Sequence, residues 1–386
     1  VCLLLKEVYV NIHGNTKKAH PAQIELAEIF TSVRLFGPPM SDTLVELVCH
    51  LFTPEESAVA RHLPFYLPKS VERIARRAHR QPDDILPVLK SLADRKIIIG
   101  TERGFSLLPL IPGMFEYLLM DGSDSPWHKR YGRLITSLFS TGYTRAYSTT
   151  ASPVIRNIPV QTAIEHTSRV VDSDLISEMI AAHEKLAVLN VCQCRQSHLF
   201  SGQKCSRSGP EDGCLVFGSF AESTVERGSG RLVDKEEMKD IVLERWSKNL
   251  VFMSANVTPS SPNAICTCCD CCCHYMIAVN TFGGRVSLAP PHFLAHIVES
   301  LCNNCGKCVR VCNTHAHTVS DKIHLYDAEK CIGCGLCVQA CPQNAITMGV
   351  NPDYKAPSRN WIHHGIRILP SSLLSTLRVH FKRDHS

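Results

Sequence analysis

Two stretches carry the reading of this chain. Cys302-Asn-Asn-Cys305-Gly-Lys-Cys308-Val-Arg-Val-Cys312 is followed, eighteen residues later, by Cys331-Ile-Gly-Cys334-Gly-Leu-Cys337-Val-Gln-Ala-Cys341-Pro342. Both have the spacing C-x2-C-x2-C-x3-C. Steps this short let three thiolates wrap one corner of a metal-bearing core, while the fourth cysteine, one helical turn on, points away from it. Zinc would ask for two separated C-x2-4-C pairs rather than two tandem runs of four.

The rest of the composition bounds the class. At 386 residues the chain can hold two or three domains, each with its own core. Hydrophobic residues at 44% and charged ones at 20% are those of an ordinary globular protein and exclude disorder. No run of eighteen apolar residues occurs, so no membrane span is expected, and Val1-Cys2-Leu3-Leu4-Leu5 lacks the basic start and cleavage site of a secretory signal. A net charge of +5 is too small to imply nucleic acid without a localised patch. Cysteine is the outlier: there are twenty, eighteen of them after residue 190 in tight groups. Neighbours such as Cys271-Cys272-Cys273 are poor candidates for ordinary loop-closing disulfides, so metal–sulfur ligation in a reducing, cytoplasmic compartment is expected. Cys2 and Cys49 read as incidental.

Two tandem runs of the Cys302 and Cys331 type resemble the ligand runs of bacterial-type two-cluster ferredoxins. The resemblance implies two [4Fe-4S] clusters with interleaved ligands: Cys302, Cys305, Cys308 and Cys341 for one, Cys331, Cys334, Cys337 and Cys312 for the other. Asn313 stands where that family usually has proline, which implies a looser turn after the first run.

The chain divides into an N-terminal segment (1–40), a helical module (41–145), a cysteine-rich middle (146–298), the ferredoxin-like segment (299–350) and a basic tail (351–386). In the module, Asp42 can cap a helix from Thr43 to Phe52 with Leu44, Leu47, Val48 and Leu51 inward. Further helices are expected from Pro54, from Ser70 to Ala78 and from Pro82 to Asp94, then a hairpin turning through Gly100–Gly104. Three helices and a hairpin in this order resemble a winged helix-turn-helix. The helix in the recognition position, however, opens with Pro82-Asp83-Asp84, which repels phosphate, and Arg73, Arg76, Arg77 and Arg80 lie on the helix before it. Packing or docking is therefore preferred to DNA binding. A helix from Trp127 to Phe139 follows, and then an extended arm over Thr141–Val171.

In the middle, Asp172 or Ser173 can cap a helix to Lys185, after which a strand over Leu186–Val191 delivers Cys192-Gln-Cys194-Arg195. Cys205 and Cys214 follow, then a helix over Asp234–Lys248 and a strand over Leu250–Met253. A Ser- and Pro-rich loop leads to Cys266-Thr-Cys268-Cys269-Asp270-Cys271-Cys272-Cys273. If the strands run parallel, both groups lie at one sheet edge, and alternation of side chains lets adjacent cysteines face two centres. The simplest count is two more [4Fe-4S] clusters on Cys192, Cys194, Cys205, Cys214 and four of the six later cysteines. A zinc ion on Cys192-x-Cys194 with two distant thiols, or one larger cluster using five or more of the ten, are alternatives. Arg195, His198 and His274 flank these groups and would raise a potential or pass protons, or else merely neutralise thiolates or lie on the surface.

The whole pattern from Asp42 to Met348 resembles multi-cluster 4Fe-4S binding proteins of anaerobic microorganisms, in which glycine often stands at the position of Asp270. The resemblance implies an α+β architecture and an electron-transfer protein or subunit that relays electrons through about four [4Fe-4S] clusters to an oxidoreductase partner such as a flavoprotein. Two alternatives stand beside it: a reductase with a substrate-binding middle cluster, and a redox-sensing DNA-binding regulator. No NAD or FAD fingerprint is found, because Arg227-Gly228-Ser229-Gly230 lacks the third glycine and the preceding strand. From Ser372, Leu373, Leu374, Leu377 and Phe381 with Arg378, Lys382 and Arg383 read as a basic amphipathic helix able to dock on protein or touch an anionic membrane.

Overall fold

The computed structural model describes residues 9–12, 15–32, 35, 37–143, 153–160, 176–258, 260, 264–282 and 288–370. Cys2, most of the arm, the caps Asp172 and Ser173, and the basic helix from Ser372 lie outside the described residues. Helix and sheet are mixed, and the described residues divide into two compact units, 9–143 with 196–203 and 153–195 with 204–370.

In the first unit a short hairpin, β1 (Tyr9–Ile12) and β2 (Asn15–Lys18), precedes α1 (Pro21–Phe30). Next comes α2 (Asp42–Leu51), capped by the Ser41 hydroxyl, which accepts from the Leu44 N–H at 3.2 Å, so the cap lies one residue before the expected Asp42. At α3 (Pro54–Ala60), Thr53 and Glu56 form a reciprocal capping box, with Pro54 in the first turn where its missing N–H costs nothing. Then α4 (Val71–Ala78) and α5 (Pro82–Asp94) lead to the hairpin β3 (Ile98–Thr101) and β4 (Gly104–Leu107). Leu44, Leu47, Val48 and Leu51 of α2 and Ile85, Leu89 and Leu92 of α5 are buried, as their helical spacing requires. Arg73, Arg76, Arg77 and Arg80 are exposed, and so are Asp83 and Asp84 at the head of α5. Then come α6 (Phe115–Leu119) and α7 (Pro126–Leu138).

The second unit contains β5 (Ile155–Asn157), α8 (Ile176–Ala182), β6 (Leu186–Leu189), α9 (Gln193–Phe200, of which Gln196 onward groups with the first unit), β7 (Leu215–Phe217), α10 (Ser219–Glu226), β8 (Gly230–Val233), α11 (Lys235–Ser247), β9 (Val251–Ala255), β10 (Ala264–Cys268) and α12 (His274–Phe282). Its six-stranded sheet has the order β5-β9-β10-β7-β6-β8, and every neighbouring pair is antiparallel. The parallel arrangement considered from sequence is thus replaced by one that needs no crossover between neighbours. The consequence for the cysteines is the same. With Val188 opposite Leu215 and Ile265 opposite Leu215, the end of β6, the start of β7 and the end of β10 share one edge. The stretch Cys266–Cys268, expected to follow a loop, is part of β10. Gly228 lies in the turn from α10 into β8, which Gly230 opens, whereas a dinucleotide loop runs from strand to helix.

Beyond Leu288, β11 (Phe293–Ile297) pairs with β14 (Ile346–Val350), and β12 (His317–Ser320) with β13 (Ile323–Tyr326). Two five-residue helices, α13 (Lys307–Val311) and α14 (Leu336–Ala340), sit at corresponding places in the two cysteine runs, each preceded by a left-handed glycine, Gly306 or Gly335. One buried cluster joins Leu186, Phe217, Met238, Trp246 and Ile265 to Phe293, Ile332, Leu336, Ile346 and Met348. The cysteine edge and the ferredoxin-like segment therefore rest on a common core. Among the described residues no helix is long and apolar enough to cross a membrane.

Candidate metal centre

The two C-terminal runs fold as a repeat. The Ala316 N–H donates to Cys312 Sγ at 3.2 Å and the Ala345 N–H to Cys341 Sγ at 3.3 Å, so the fourth cysteine of each run meets the same backbone donor four residues on. Cys302, Cys305 and Cys308 of the first run line a cavity together with Cys341 of the second. Cys312 lies near enough to the second run for its charge, with that of Cys331, to bear on Cys334 and Cys337. Burial pushes the Cys308 thiol up to about 11, and neighbouring Cys302 and Cys305 add to it. Burial likewise pushes Cys334 up to about 12, with Cys312 contributing. Thiols held this way resist ionising alone and favour a cation that takes the proton's place.

Two histidines missed in the sequence reading lie in this segment. His324 Nε2 is 3.5 Å from Cys308 Sγ, His324 Nδ1 is 3.8 Å from Cys302 Sγ, and His317 Nδ1 is 2.9 Å from His324 Nε2. Pairing of β12 with β13 brings them together, and the second run carries no histidine, so the two thiol sets differ electrostatically. The only signal in the sequence was a histidine on each of two alternating, β-prone pieces between the runs.

The structure divides the ten middle cysteines as six and four. Cys192, Cys194, Cys273, Cys268, Cys266 and Cys214 form a continuous run of thiols in that order, with Cys273 and Cys268 at 3.4 Å. Along it the direction of the pKa shift alternates. Cys192, Cys273 and Cys266 are drawn below the usual thiol value by hydrogen bonds from Cys194 to the first two and from Cys214 to the third, and those donor thiols are held well above it. Five of the six are buried or partly buried, and Cys266 is exposed. The other four, Cys205, Cys269, Cys271 and Cys272, lie together, every sulfur within 4.8 Å of the rest. Cys205 is lowered to about 6, chiefly by its hydrogen-bond contact with Cys269.

Arg195 is 2% exposed. Its Nη1 donates to the carbonyls of Asp212 at 2.9 Å and Gly209 at 3.2 Å, and its Nη2 donates to that of Thr267. Burial opposes its charge, but the thiols of Cys192, Cys269 and Cys205 outweigh burial and hold the guanidinium charged. His198 and His274 are also buried, which removes the surface reading for all three. Asp270 does not act as an isolated negative charge: Arg207 donates to both its carboxylate oxygens, at 2.7 and 2.8 Å. Asn313, 1% exposed, makes no loose turn. Its Oδ1 accepts the Asp270 N–H at 3.1 Å, its Nδ2 donates to the Asn249 carbonyl at 3.0 Å, and its own carbonyl accepts from Asn280 Nδ2 at 2.9 Å. It thereby ties the second cysteine loop to the ferredoxin-like segment.

Clustered unbridged thiols of this density suit soft transition-metal ions and iron–sulfur units. Neither a curated protein nor a solved structure matches the chain. The family model for a 4Fe-4S binding domain matches residues 324–347, which include Cys331, Cys334, Cys337 and Cys341, and with the grouped cysteines this match supports iron–sulfur binding.

Proposed function

We propose that the chain is an electron-transfer protein or subunit, carrying single electrons to or from an oxidoreductase partner by way of clusters on the ferredoxin-like segment and on the six-thiol run. The observation that supports this reading is that Cys341 lines one cavity with Cys302, Cys305 and Cys308, and the charge of Cys312 bearing on Cys334 and Cys337 is consistent with the reciprocal set. Two four-thiol sets built from each other's chain segments fit a close pair of [4Fe-4S] clusters, whose contribution when bound is reversible one-electron exchange. The protein's own residues supply the thiolates, and the backbone N–H groups of Ala316, Ala345 and Gly333 donate to Cys312, Cys341 and Cys331. Such donors stabilise negative charge on sulfur and hold the ligands in place.

The outer side of the segment favours a docked partner. Cys305 is exposed, and in the same segment Leu301 (51%), Val319 (42%), Ile323 (58%) and Leu325 (50%) turn apolar surface to solvent. The helices and hairpin of the first unit, winged-helix-like in their order, serve docking in this reading, because the acids Asp83 and Asp84 head α5. Anaerobic determination of iron and acid-labile sulfide, with electron paramagnetic resonance of the reduced protein, tests the proposal. Acid-labile sulfide, iron at least equal to it, and spin-coupled signals from neighbouring clusters are expected. A chain with zinc in the Cys302–Cys341 segment and no reducible cluster would overturn it.

A further inference from the structure

We propose that Cys205, Cys269, Cys271 and Cys272 form a mononuclear metal site, separate from any cluster, that takes one divalent first-row cation, zinc or ferrous iron, in a tetrahedron of four thiolates. The dimensions carry the inference. Cys205 Sγ lies 3.6 Å from Cys269 Sγ and 3.5 Å from Cys271 Sγ, Cys271 and Cys272 are 3.8 Å apart, and all four sulfurs fall within 4.8 Å of one another. Sulfurs bound about 2.3 Å from a single ion stand about 3.8 Å apart along the edges of a tetrahedron. The quartet therefore already has the size of a one-ion site.

A cubane makes a different demand. Each of its thiolates binds a separate iron and points outward from its own corner, so the sulfurs are spread by the metal–metal spacing and by the outward bonds. Cys302, Cys305, Cys308 and Cys341 line a cavity instead, and they are not among the described thiol groups that lie within 4.8 Å of one another.

The surroundings are those of a fixed site. Arg207 grips Asp270, between ligands Cys269 and Cys271, through both carboxylate oxygens, and Asn313 Oδ1 holds the Asp270 N–H. The Ser206 hydroxyl is 3.4 Å from Cys271 Sγ, and the buried Arg195 guanidinium lies near enough to Cys269 and Cys205 for their charges to act on it. Four thiolates around a divalent ion leave two negative charges; Arg195 offsets one, while Arg207 is occupied with Asp270. Binding releases the thiol protons to solvent and joins the loop of Cys205 to the loop of Cys269–Cys272, sixty-four residues away at its nearest ligand.

The site goes beyond the electron-transfer reading and does not depend on it. The full chain and its Cys205→Ser variant, both isolated anaerobically, are compared for zinc, iron, acid-labile sulfide and reduced-state paramagnetic spectra. The expected result is loss of about one equivalent of zinc, or of iron without sulfide, with the cluster signals kept. Iron and sulfide lost together would make the quartet a cluster site and overturn the proposal, as would an unchanged metal content. Should the variant fail to fold, wild-type spectroscopy decides. X-ray absorption at zinc showing four sulfurs and no neighbouring metal, or a Mössbauer component from sulfide-free tetrathiolate iron, supports the site, and absence of both overturns it.

Discussion

Asn313 stands where a proline would end the first cysteine run, and its side chain does work no pyrrolidine ring could do. It accepts from Asp270 and donates to Asn249 while fully buried, so removing it strands a backbone N–H and a carbonyl. Asn313→Ala is expected to cost about 1–3 kcal/mol, read as a lowered midpoint in anaerobic thermal unfolding, whereas an exposed asparagine would leave that midpoint in place. Asp121 offers a pH test in the first unit. Burial alone would raise its pKa, but the Lys96 ammonium at 2.8 Å and bonds from Ser123 bring it below the usual carboxylate value. A carboxyl depressed on folding contributes stability that is present above its unfolded value and is lost as pH falls through the folded one. Asp121→Asn should therefore cost up to about 1 kcal/mol at neutral pH, and the gap to wild type should close in acid. A gap that stays constant from neutral to acid pH would show that the charge is not its source.

The short elements around the thiols tolerate little change. Gly333 lies between Cys331 and Cys334 at φ +71°, and a Cβ there would come 2.4 Å from the Phe293 carbonyl oxygen on β11. A left-handed backbone costs an ordinary residue about 1–2 kcal/mol, and β11 cannot retreat because it is paired along its length with β14. Gly333→Ala is expected to lower iron content by releasing metal from the Cys331, Cys334 and Cys337 set, with the Cys302 set less affected. Undiminished iron would mean that β11 yields. Helix periodicity served well for such elements, since the burial of Leu44, Leu47, Val48 and Leu51 follows from spacing alone. Strand direction did not follow, because Leu186–Leu189 and Val251–Met253 are apolar and buried on both sides and read the same in parallel or antiparallel sheets.

Across the second unit, segments distant in the chain meet at shared thiol sets, and this yields a sharp expectation. If Cys341 belongs with Cys302, Cys305 and Cys308, Cys341→Ser should perturb the cluster of the first run even though the residue lies in the second. Cys312→Ser should do the reverse. Paramagnetic spectra of the two variants that show each mutation disturbing its own run would refute the interleaved arrangement.

What could be read directly from the chain is whatever depends on near neighbours: the spacing of the two C-terminal runs, the caps and apolar stripes of the helices, and the metal-binding character of eighteen clustered thiols. The division of the ten middle cysteines could not be read this way. Cys268 and Cys269 adjoin in sequence yet join different groups, while Cys205 meets Cys269 from sixty-four residues away. That sorting follows from the antiparallel order of β6, β7 and β10 and from the turn at Asp270, held by Arg207 and Asn313. Thiol chemistry is set by residue type, but which thiols share an ion is set by Sγ–Sγ distance, and those distances exist only once the sheet edge has formed.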